Sequence, residues 1–354
     1  MILNNNTMST VFYFLVVVLL LFLPNSKSLR VISLVYLLIL FCFNTDCADR
    51  ESYVMDMLNV DLYEREYLWQ VVLRFWRDNH LDFQYLVAGI GVLYLPSLYY
   101  VTGKLSNKSN LVVACYMIGL FFLDVVQLRY TASLIFVLWA FYLYFSKKEH
   151  HILYFIVFIC ISSLIHASNI IFLSYILAEK YDKQKLRMIV LILFVVLSLG
   201  VYIAMTYLGY IFGIVDKITR LTTTEYESSK YIYRNCLCEV IVFLYVLYLN
   251  AKNKDLYLAE SGWKLIYNMA YISLLFLPFL QLFPDIRRQI YVNFIILLPW
   301  ICRLKQNKAI TQNIYIWAVI VAIYYFLIGL YPGNMDTVFY PIFDNNLIFN
   351  SLFI

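Results

Sequence analysis

The chain has 354 residues, of which 63% are hydrophobic and only 14% charged, with a mean hydropathy of +0.75. So few charged side chains cannot cover the surface of a water-soluble protein of this length, so the composition predicts an integral membrane protein. The formal net charge of +5 comes from 27 Lys and Arg against 22 Asp and Glu. Because these charges are scattered along the chain and form no basic patch, a nucleic-acid-binding protein is excluded.

Apolar runs long enough to cross a bilayer, about 20 residues in a helix, recur from one end of the chain to the other. The seven clearest are Met8 to Leu23, Leu29 to Phe43, Phe83 to Val101, Met188 to Leu208, Tyr233 to Leu249, Leu265 to Phe283 and Ile310 to Tyr331. The first run lacks the cleavage site of a signal peptide and is followed by Lys27 and Arg30. We therefore interpret it as a transmembrane helix that starts outside. A shorter run covers Gln289 to Cys302, and polar residues interrupt the stretch from Asn110 to Ala178.

The basic residues indicate how these runs are threaded, because short cytoplasmic loops collect Lys and Arg. They favour an all-α polytopic membrane protein with about twelve transmembrane helices (about eleven to thirteen) and a cavity at the outer face. Ile152 to Ala178 is too short for two full crossings, so we expect short, broken or re-entrant helices there around polar space. Residues 1–354 then form a single transmembrane domain. Its outer loops are 44–82 and 209–232, and its C-terminal tail, 332–354, is extracytoplasmic.

Arginine and lysine separate in this threading. Thirteen of the sixteen inner basic residues are Lys, whereas nine of the eleven outer ones are Arg. The outer arginines are Arg50, Arg65, Arg74, Arg77, Arg129, Arg220, Arg234, Arg287 and Arg288. The planar guanidinium suits phosphate and carboxylate groups, so the outer face is predicted to bind an anion, unless these arginines only pair with outer acids. Arg129, Arg287 and Arg288 are the strongest candidates, because they interrupt or adjoin apolar runs, where an unpaired cation is costly.

Arg129 and His166 are predicted to meet. Arg129 lies 19 residues before Lys148, and His166 lies 18 residues after it. With a rise of about 1.5 Å per residue, a helical hairpin with its tip at Lys148 returns the two side chains to nearly the same depth. An imidazole, with an ordinary pKa near 6.5, can accept a proton at neutral pH, so this pair could act on a phosphorylated substrate. The alternative is that His166 only fastens helices through hydrogen bonds.

The loop from residue 44 to residue 80 is the richest in acidic side chains. Within it, Asp61 with Glu64 three residues later predicts the start of a helix, and Trp69 and Trp76 recur on one face of that helix. An amphipathic helix with two Trp is typical of the membrane interface, where a lipid-linked substrate could enter the site. A plain supporting helix at the interface is the alternative.

Several signals of common chemistry are absent from the sequence. It contains no Walker motif, G-x-G-x-x-G, H-E-x-x-H or paired D-x-D, so nucleotide hydrolysis, zinc proteolysis and metal-bridged nucleotide-sugar transfer lose support. Four of the seven cysteines lie in apolar runs and Cys236 and Cys238 form a lone C-x-C, so no metal site is predicted. The outer loop 209–232, which holds Arg220, is predicted to be a polar lid.

Short polar motifs occur in a fixed order along most of the chain. They are Asp49-x-x-x-Tyr53 with Glu66, Leu128-Arg129-Tyr130-Thr131-Ala132, Ser163-Leu164-Ile165-His166-Ala167-Ser168, Arg287-Arg288-Gln289-Ile290-Tyr291, Tyr331-Pro332 and Tyr340-Pro341-Ile342-Phe343-Asp344-Asn345. Their order and spacing resemble the EpsG-like branch of the Wzy-type bacterial polysaccharide polymerases. That family usually has Gly before the loop aspartate and Gln after the arginine, where this chain has Thr45 and Tyr130. Either Asp46 or Asp49 is therefore the equivalent acid.

The resemblance implies an activity. The enzyme would join oligosaccharide repeat units carried on undecaprenyl diphosphate, which serve as donor and acceptor, into O-antigen, capsule or exopolysaccharide at the outer face of the bacterial cytoplasmic membrane. Arg129, with Arg287 or Arg288, would neutralise the departing diphosphate, and His166, Asp49 or Glu66 would take the acceptor proton. The further substrate-binding residues would be Tyr53, Asp46, Arg220, Arg234 and Tyr291.

The same resemblance implies that no metal or cofactor takes part, that membrane lipid surrounds the protein, and that a chain-length regulator can be a partner. Two other functions fit a polytopic protein with these residues. A transporter that flips lipid-linked sugars would need cations through its full depth. A membrane acyltransferase with His166 as base would take its donor from the cytoplasmic side, the opposite side from the predicted position of His166.

Overall fold

The computed structural model describes residues 5–23, 25–62, 65–147, 149–203, 229–252, 261–280, 286–303, 308–330 and 335–352. Over these ranges the chain is almost entirely helical and has no β-strand. The α-helices are α1 (Asn5–Phe22), α2 (Lys27–Cys42), α3 (Arg50–Leu58), α4 (Tyr67–Asp78), α5 (Phe83–Leu105), α6 (Ser109–Gly119), α7 (Phe121–Val126), α8 (Leu128–Ser146), α9 (His151–Ile165), α10 (Ile176–Lys180), α11 (Lys183–Ile203), α12 (Ser229–Lys252), α13 (Ser261–Ile272), α14 (Ile286–Arg303), α15 (Lys308–Leu330), α16 (Tyr340–Asp344) and α17 (Leu347–Leu352). Short 3-10 helices cover Ala167–Tyr175, Ser273–Phe276 and Pro278–Leu280, and a π-helix covers Met335–Phe339.

Six helical segments of the described chain are long and apolar enough to cross a membrane. They are Phe83–Leu105, Leu128–Ser146, Lys183–Ile203, Arg234–Lys252, Gly262–Leu280 and Thr311–Ile328. Three shorter apolar helices are Met8–Phe22, Ser109–Gly119 and His151–Ile165. The described residues therefore form a nearly all-helical structure with six candidate membrane-spanning helices, in agreement with the class that the composition predicts. The expected number of about twelve crossings and the outer cavity are not confirmed, and both stay predictions.

The residues divide into two compact units, and each is described by itself. The first unit comprises Met1–Ile170 with Ile301–Ile354, and the second comprises Ile171–Trp300. In the first unit α8 packs against α9 and α5, α5 packs against α2, and α6 packs against α1 and α15. The short connection between α8 and α9 makes that consecutive pair antiparallel.

The two ends of the first unit carry different cations. At one end the Asn110 amide donates to the Leu23 carbonyl oxygen at 2.8 Å, which joins the turn after α1 to the turn before α6. The basic residues of this end are mostly lysines, among them Lys104, Lys108 and Lys147. At the other end the Gln84 amide donates to the Cys42 carbonyl oxygen at 2.6 Å, beside the loop that carries the arginines. The predicted separation of Lys from Arg is thus present in the fold of this unit.

The predicted interruptions of the middle helices are real. A first break separates α7 from α8 at Gln127, and a second ends α9 at His166, whose φ of −145° and ψ of 102° are extended values. Behind the first break the Asp124 carboxylate is buried and accepts a 2.6 Å bond from the Tyr94 hydroxyl. The Thr131 hydroxyl donates to the Asp124 carbonyl oxygen at 2.7 Å. The hydrogen-bonding groups that a break exposes are thus paired inside the bundle, as the membrane requires.

The loop after α2 contains two helices, α3 and α4, which pack on each other. The helix predicted in its second half is present as α4, and it packs against α9. The predicted start at Asp61 is wrong, because α4 begins at Tyr67 after Glu66. The Asp61 carboxylate instead accepts hydrogen bonds from two guanidinium groups of α4, Arg77 at 2.6 Å and Arg74 at 3.1 Å. Asp61 therefore forms ion pairs with side chains of α4 and does not cap the helix.

The C-terminal residues return to this loop. Asn346 forms an antiparallel bridge with Asn44, and the Thr45 N–H donates to the Asn345 carbonyl oxygen at 2.9 Å. The Asn346 side chain donates to the Ile39 carbonyl oxygen at 2.9 Å. The described part of the C-terminal tail therefore lies at the same end of the first unit as loop 44–82, and the extracytoplasmic position of both stays a prediction.

In the second unit α12 and α14 run parallel, and two side-chain pairs join them. The Tyr291 hydroxyl donates to Asn235 Oδ1 at 2.6 Å, and the Asn293 amide donates to Glu239 Oε1 at 3.2 Å. The basic run after α10 lies against α13, where the Lys264 ammonium contacts the Asp182 carboxylate at 3.1 Å. Lysines thus mark one end of this unit, and the arginines before Tyr291 and beside Asn235 mark the other.

The close approach of α2 and α5 gives a first prediction. A Cβ atom at Gly91 would lie 2.7 Å from both Cys42 Sγ and Phe41 Cδ1, whereas one at Gly89 would meet nothing within 4 Å. Both substitutions to Val change helix propensity equally, so their difference isolates the collision. We expect Gly91→Val to cost about 1 to 3 kcal/mol more than Gly89→Val, measured as a lower melting temperature of the purified protein. Equal melting temperatures would contradict the α2–α5 packing.

Candidate functional site

The centre of the candidate site is the break between α9 and the 3-10 helix that follows it. The apolar sequence of α9 ends at His166, and the chain continues through Ala167 and Ser168 as a 3-10 helix. On the neighbouring helix, Arg129 lies in the first turn of α8, directly after the break at Gln127. Two helix breaks on adjacent helices therefore place Arg129 and the His166 turn at the same end of the first unit, as predicted from their spacing.

A buried polar cluster holds the second break in place. The Asn169 amide nitrogen donates to the Ser162 hydroxyl at 2.6 Å and to the Ser133 hydroxyl at 2.8 Å. The Ser162 hydroxyl also donates to the Ser133 carbonyl oxygen at 3.0 Å. All three side chains are fully buried, so these bonds link α8, α9 and the 3-10 helix at a point where water cannot replace them.

Glu66 connects Arg129 with the His166 turn. One carboxylate oxygen of Glu66, Oε2, accepts a 2.7 Å bond from Arg129 Nη1. The other, Oε1, accepts a 3.3 Å bond from the backbone N–H of Ala167. The side chains of Arg129 and Glu66 are 19% and 20% exposed, so the pair is open to one side and packed on the other. Glu66, the residue before α4, thereby joins the loop to both broken helices.

The His166 side chain is oriented by its neighbours. It is buried, and its Nδ1 is hydrogen-bonded to the Ser168 hydroxyl at 2.7 Å. The Tyr130 ring packs edge-on against the imidazole with 5.1 Å between ring centroids. Tyr130 follows Arg129 directly in the sequence, so the first turn of α8 presents its cation to Glu66 and its aromatic ring to His166. The imidazole is thus fixed one residue from the Ala167 N–H that contacts Glu66.

The other predicted site residues of the first unit lie in the loop after α2. Asp49 and Tyr53 are on the first turn of α3, where the Tyr53 N–H donates to the Asp49 carbonyl oxygen at 3.1 Å. The Tyr53 ring contacts Trp69 of α4 with 6.0 Å between centroids. Asp46 is exposed, and its carboxylate accepts a 3.4 Å bond from the Asn345 amide. Asp46 therefore contacts the C-terminal residues, whereas Tyr53 supports the helix that Glu66 precedes.

Three other arginines of the loop are paired with acids, as the alternative interpretation of the arginine-rich face predicts. Arg65 donates to both oxygens of Asp56, from Nε at 3.0 Å and from Nη2 at 2.9 Å. That hydrogen bonding to Asp56 raises the pKa of Arg65 above its ordinary value. Arg74 and Arg77 both donate to Asp61, as described above. These three guanidinium groups hold the loop together. Arg129 differs from them, because it connects the loop, through Glu66, to the helix breaks.

The second unit holds the remaining predicted arginines. Arg234 and Asn235 are adjacent on α12, and Arg287 and Arg288 precede Tyr291 by about one turn of α14. Because Tyr291 bonds to Asn235, these three arginines lie at the same end of this helix pair. Their action together with Arg129 stays a prediction. Arg220 and most of loop 209–232 lie outside the described residues.

Sequence reasoning missed two buried carboxylates. Glu239 of the second unit accepts from the Asn293 amide, whose Oδ1 accepts from the Tyr175 hydroxyl at 2.6 Å. Asp124 of the first unit is bonded to Tyr94, as described above. The available signal was an acidic residue within an apolar run, which indicates a buried polar partner on another helix. Within the described part of the chain, no group of three or more His, Cys, Asp or Glu side chains could hold a metal ion.

Comparison with known families now identifies the chain at the level of a family. A model of the EpsG family matches residues 27–341, which includes every motif quoted above except the last four residues of the final one. The chain belongs to the EpsG family. No curated protein and no solved structure matches it. Membership of the EpsG family and the apolar helices together indicate a membrane protein with a glycosyltransferase-like, polysaccharide-polymerase type of role.

The buried cluster of this EpsG-family protein gives a second prediction. Asn169→Leu removes two hydrogen bonds and leaves buried hydroxyl groups with fewer partners, so we expect a loss of stability of about 1 to 3 kcal/mol. Asn79→Leu, at the exposed end of α4, is the control and should change stability by less than about 0.5 kcal/mol. Thermal unfolding of the purified proteins measures both. Equal stability of the two variants would mean that Asn169 does not hold the break.

The pairing of Asp61 gives a third prediction. The hydrogen bond from Arg77 is the main cause that lowers the pKa of Asp61 below its ordinary value. A carboxylate whose pKa is lower in the folded protein than in the unfolded chain stabilises the folded state. This stabilisation is complete above the unfolded pKa, near 3.9, and is lost as the pH falls through the folded pKa. At pH 6 the amide groups of α4 should therefore be better protected from hydrogen exchange in the wild-type protein than in Asp61→Asn, after correction for the intrinsic pH dependence of exchange. The difference should disappear on acidification; a difference independent of pH would contradict this.

Proposed function

We propose that this EpsG-family protein polymerises oligosaccharide repeat units carried on undecaprenyl diphosphate, by glycosyl transfer at the outer face of the bacterial cytoplasmic membrane. The observation that carries the proposal is the single connection from Arg129 through Glu66 to the His166 turn. This connection supports the proposal, because a guanidinium suits a diphosphate and an imidazole suits the acceptance of a proton. These are the two groups that this transfer requires from the protein.

The distribution of cations supports the outer position of the site. In each unit most of the lysines lie at one end of the helices, and the arginines of the proposed site lie at the other. Because cytoplasmic loops are enriched in basic residues that set topology, the lysine end is assigned to the cytoplasm. Arg129, Glu66 and His166 lie at the opposite end of the first unit, where a lipid-linked substrate exported across the membrane would present its diphosphate.

The proposed reaction is a displacement at the anomeric carbon of the donor sugar. A hydroxyl oxygen of the acceptor unit forms the new glycosidic bond, and the bond from the anomeric carbon to the diphosphate oxygen breaks. The hydroxyl proton passes to His166, and undecaprenyl diphosphate departs with the bonding electrons and the negative charge. Arg129 stabilises that charge as it develops, which is the electrostatic contribution that commonly dominates such transfers.

We propose His166 as the acceptor of the proton. Glu66, whose two carboxylate oxygens accept hydrogen bonds from Arg129 and Ala167, is one alternative. Asp49 stays a second candidate on α3. Asp46, Tyr53, Tyr291, Arg220, Arg234, Arg287 and Arg288 stay proposed binding residues for the sugars and phosphates. Membrane lipid and a chain-length regulator are the proposed partners.

Substitution of the two central residues tests the function. Arg129→Gln removes the charge that stabilises the leaving diphosphate, so we expect chain elongation to slow about 10²- to 10³-fold. His166→Gln removes the proton acceptor, so we expect a loss of about 10²- to 10⁴-fold. Elongation is measured with the purified protein and one defined undecaprenyl-diphosphate-linked repeat unit, and by polymer length in a strain that lacks its polymerase.

Two matched controls accompany these variants. Arg74→Gln removes a guanidinium that is paired with Asp61 at the surface of the loop, and His150→Asn replaces an exposed histidine whose left-handed conformation Asn tolerates. Both should elongate chains normally. Long chains made by both site variants at wild-type protein levels would refute the proposal. Single repeat units that fail to reach the outer leaflet would indicate a transporter.

A further inference from the structure

The two carboxylate–guanidinium pairs next to each other in the loop have different geometries. Asp56 and Arg65 form two parallel bonds, at 2.9 Å and 3.0 Å, and this pattern uses both carboxylate oxygens on one guanidinium. Glu66 and Arg129 share one bond, from Nη1 at 2.7 Å, and the second Glu66 oxygen contacts the Ala167 N–H at 3.3 Å. A bidentate pair is the stronger and more fixed of the two arrangements. The geometry thus marks Asp56–Arg65 as structural and Glu66–Arg129 as exchangeable.

The donors around Glu66 are not fully used. Arg129 Nε is buried and has no hydrogen-bond partner, although a guanidinium has five N–H groups. The Ala167 N–H belongs to an exposed residue, and its bond to Glu66 is long. A phosphate group carries more negative charge and more acceptor oxygens than a carboxylate, so it can satisfy more of these donors than Glu66 does.

The Glu66 side chain also does not interact with the N-terminus of α4, as an acidic side chain just before a helix usually does. Glu66 is the N-cap residue of α4, yet its side chain makes no hydrogen bond to the N-terminus of that helix. The carboxylate instead reaches away from α4 to α8 and to the turn after α9. Because α4 also packs on α9, release of Glu66 would loosen the start of α4 while the rest of the helix stays in contact.

We propose that Arg129 Nη1 and the Ala167 N–H form a binding site for a phosphate oxygen, that the Glu66 carboxylate occupies this site when no substrate is bound, and that a diphosphate displaces it. The choice of a diphosphate rests on the proposed function. Glu66 is then an internal competitor for the anion. Its exchange couples arrival of the substrate to release of the N-terminus of α4, and the observed affinity for diphosphate is reduced by the fraction of protein in which Glu66 occupies the site.

Binding of inorganic diphosphate tests the competition. The full chain is placed in phosphatidylcholine nanodiscs, and its affinity for diphosphate is measured by calorimetry at fixed ionic strength. Glu66→Gln keeps the size of the side chain and removes its charge, so we expect its affinity to rise by about tenfold or more. Arg129→Gln should bind at least about tenfold more weakly than wild type. Affinity of Glu66→Gln equal to or below that of wild type would overturn the proposal.

Asp56→Asn is the matched control, because it neutralises the neighbouring acid of the structural pair. It should leave diphosphate affinity unchanged; if it tightens binding as much as Glu66→Gln, the effect is one of overall charge and the proposal fails. A second measurement uses only the wild-type protein. Diphosphate should increase hydrogen exchange at the start of α4, near residues 67–70, and leave α3 unchanged. Unchanged or increased protection at the start of α4 would also overturn the proposal.

These experiments separate the inference from the proposed function, because the binding assay contains no sugar. If Glu66→Gln binds diphosphate more tightly while Arg129→Gln and His166→Gln still elongate chains, the exchange site stands and the polymerase assignment fails. If those two variants stop elongation while Glu66→Gln binds no more tightly, the polymerase assignment stands and the exchange site fails.

Discussion

Pairing of hydrogen-bonding groups inside the membrane is the constraint on which the site depends. A helix that stops within a bundle exposes backbone groups that lipid cannot satisfy, so it can stop only where other groups of the protein replace the lost partners. At the end of α9 the Asn169 backbone N–H donates to the His166 carbonyl oxygen at 3.1 Å, and the Asn169 side chain bonds to Ser162 on α9 and Ser133 on α8. The cluster makes an extended residue possible at His166, and the extended residue turns the Ala167 N–H toward Glu66.

The same constraint explains how the loop after α2 is tied to the helices. Arg129 lies at the start of a helix that follows a break, and its guanidinium needs an anionic partner where it is largely packed. Glu66 supplies that partner from the loop, and its second oxygen reaches the other break. One carboxylate therefore joins α4, α8 and the turn after α9. A loop attached in this way can respond to the charge at the site, which a loop held only by apolar packing could not do.

The sequence predicts the membrane class, the amphipathic helix after Glu66, the breaks near Gln127 and His166, and the meeting of Arg129 with the His166 turn. These follow from composition, from helical periodicity and from counting residues along a hairpin. The partner of Arg129 does not follow, because Glu66 is 63 residues away and nothing in the spacing distinguishes it from the other acids of the loop. The start of α4 was misplaced for a related reason: Asp61 bonds to arginines across the loop, and a cap motif cannot show this.

The Asp56–Arg65 and Glu66–Arg129 pairs differ in geometry, and this difference suggests two purposes for arginine beside the acids of one loop. Asp56 binds Arg65 through both oxygens, so its carboxylate is fully paired with one guanidinium and is hard to displace. Glu66 divides its oxygens between a side chain and a backbone N–H, so neither bond has the support of a second parallel one. An incoming phosphate would meet a cation whose charge is balanced by one bond and whose position is fixed by the helix. In the proposed exchange, Glu66 holds Arg129 in place when no substrate is bound and is replaced by a phosphate when substrate arrives.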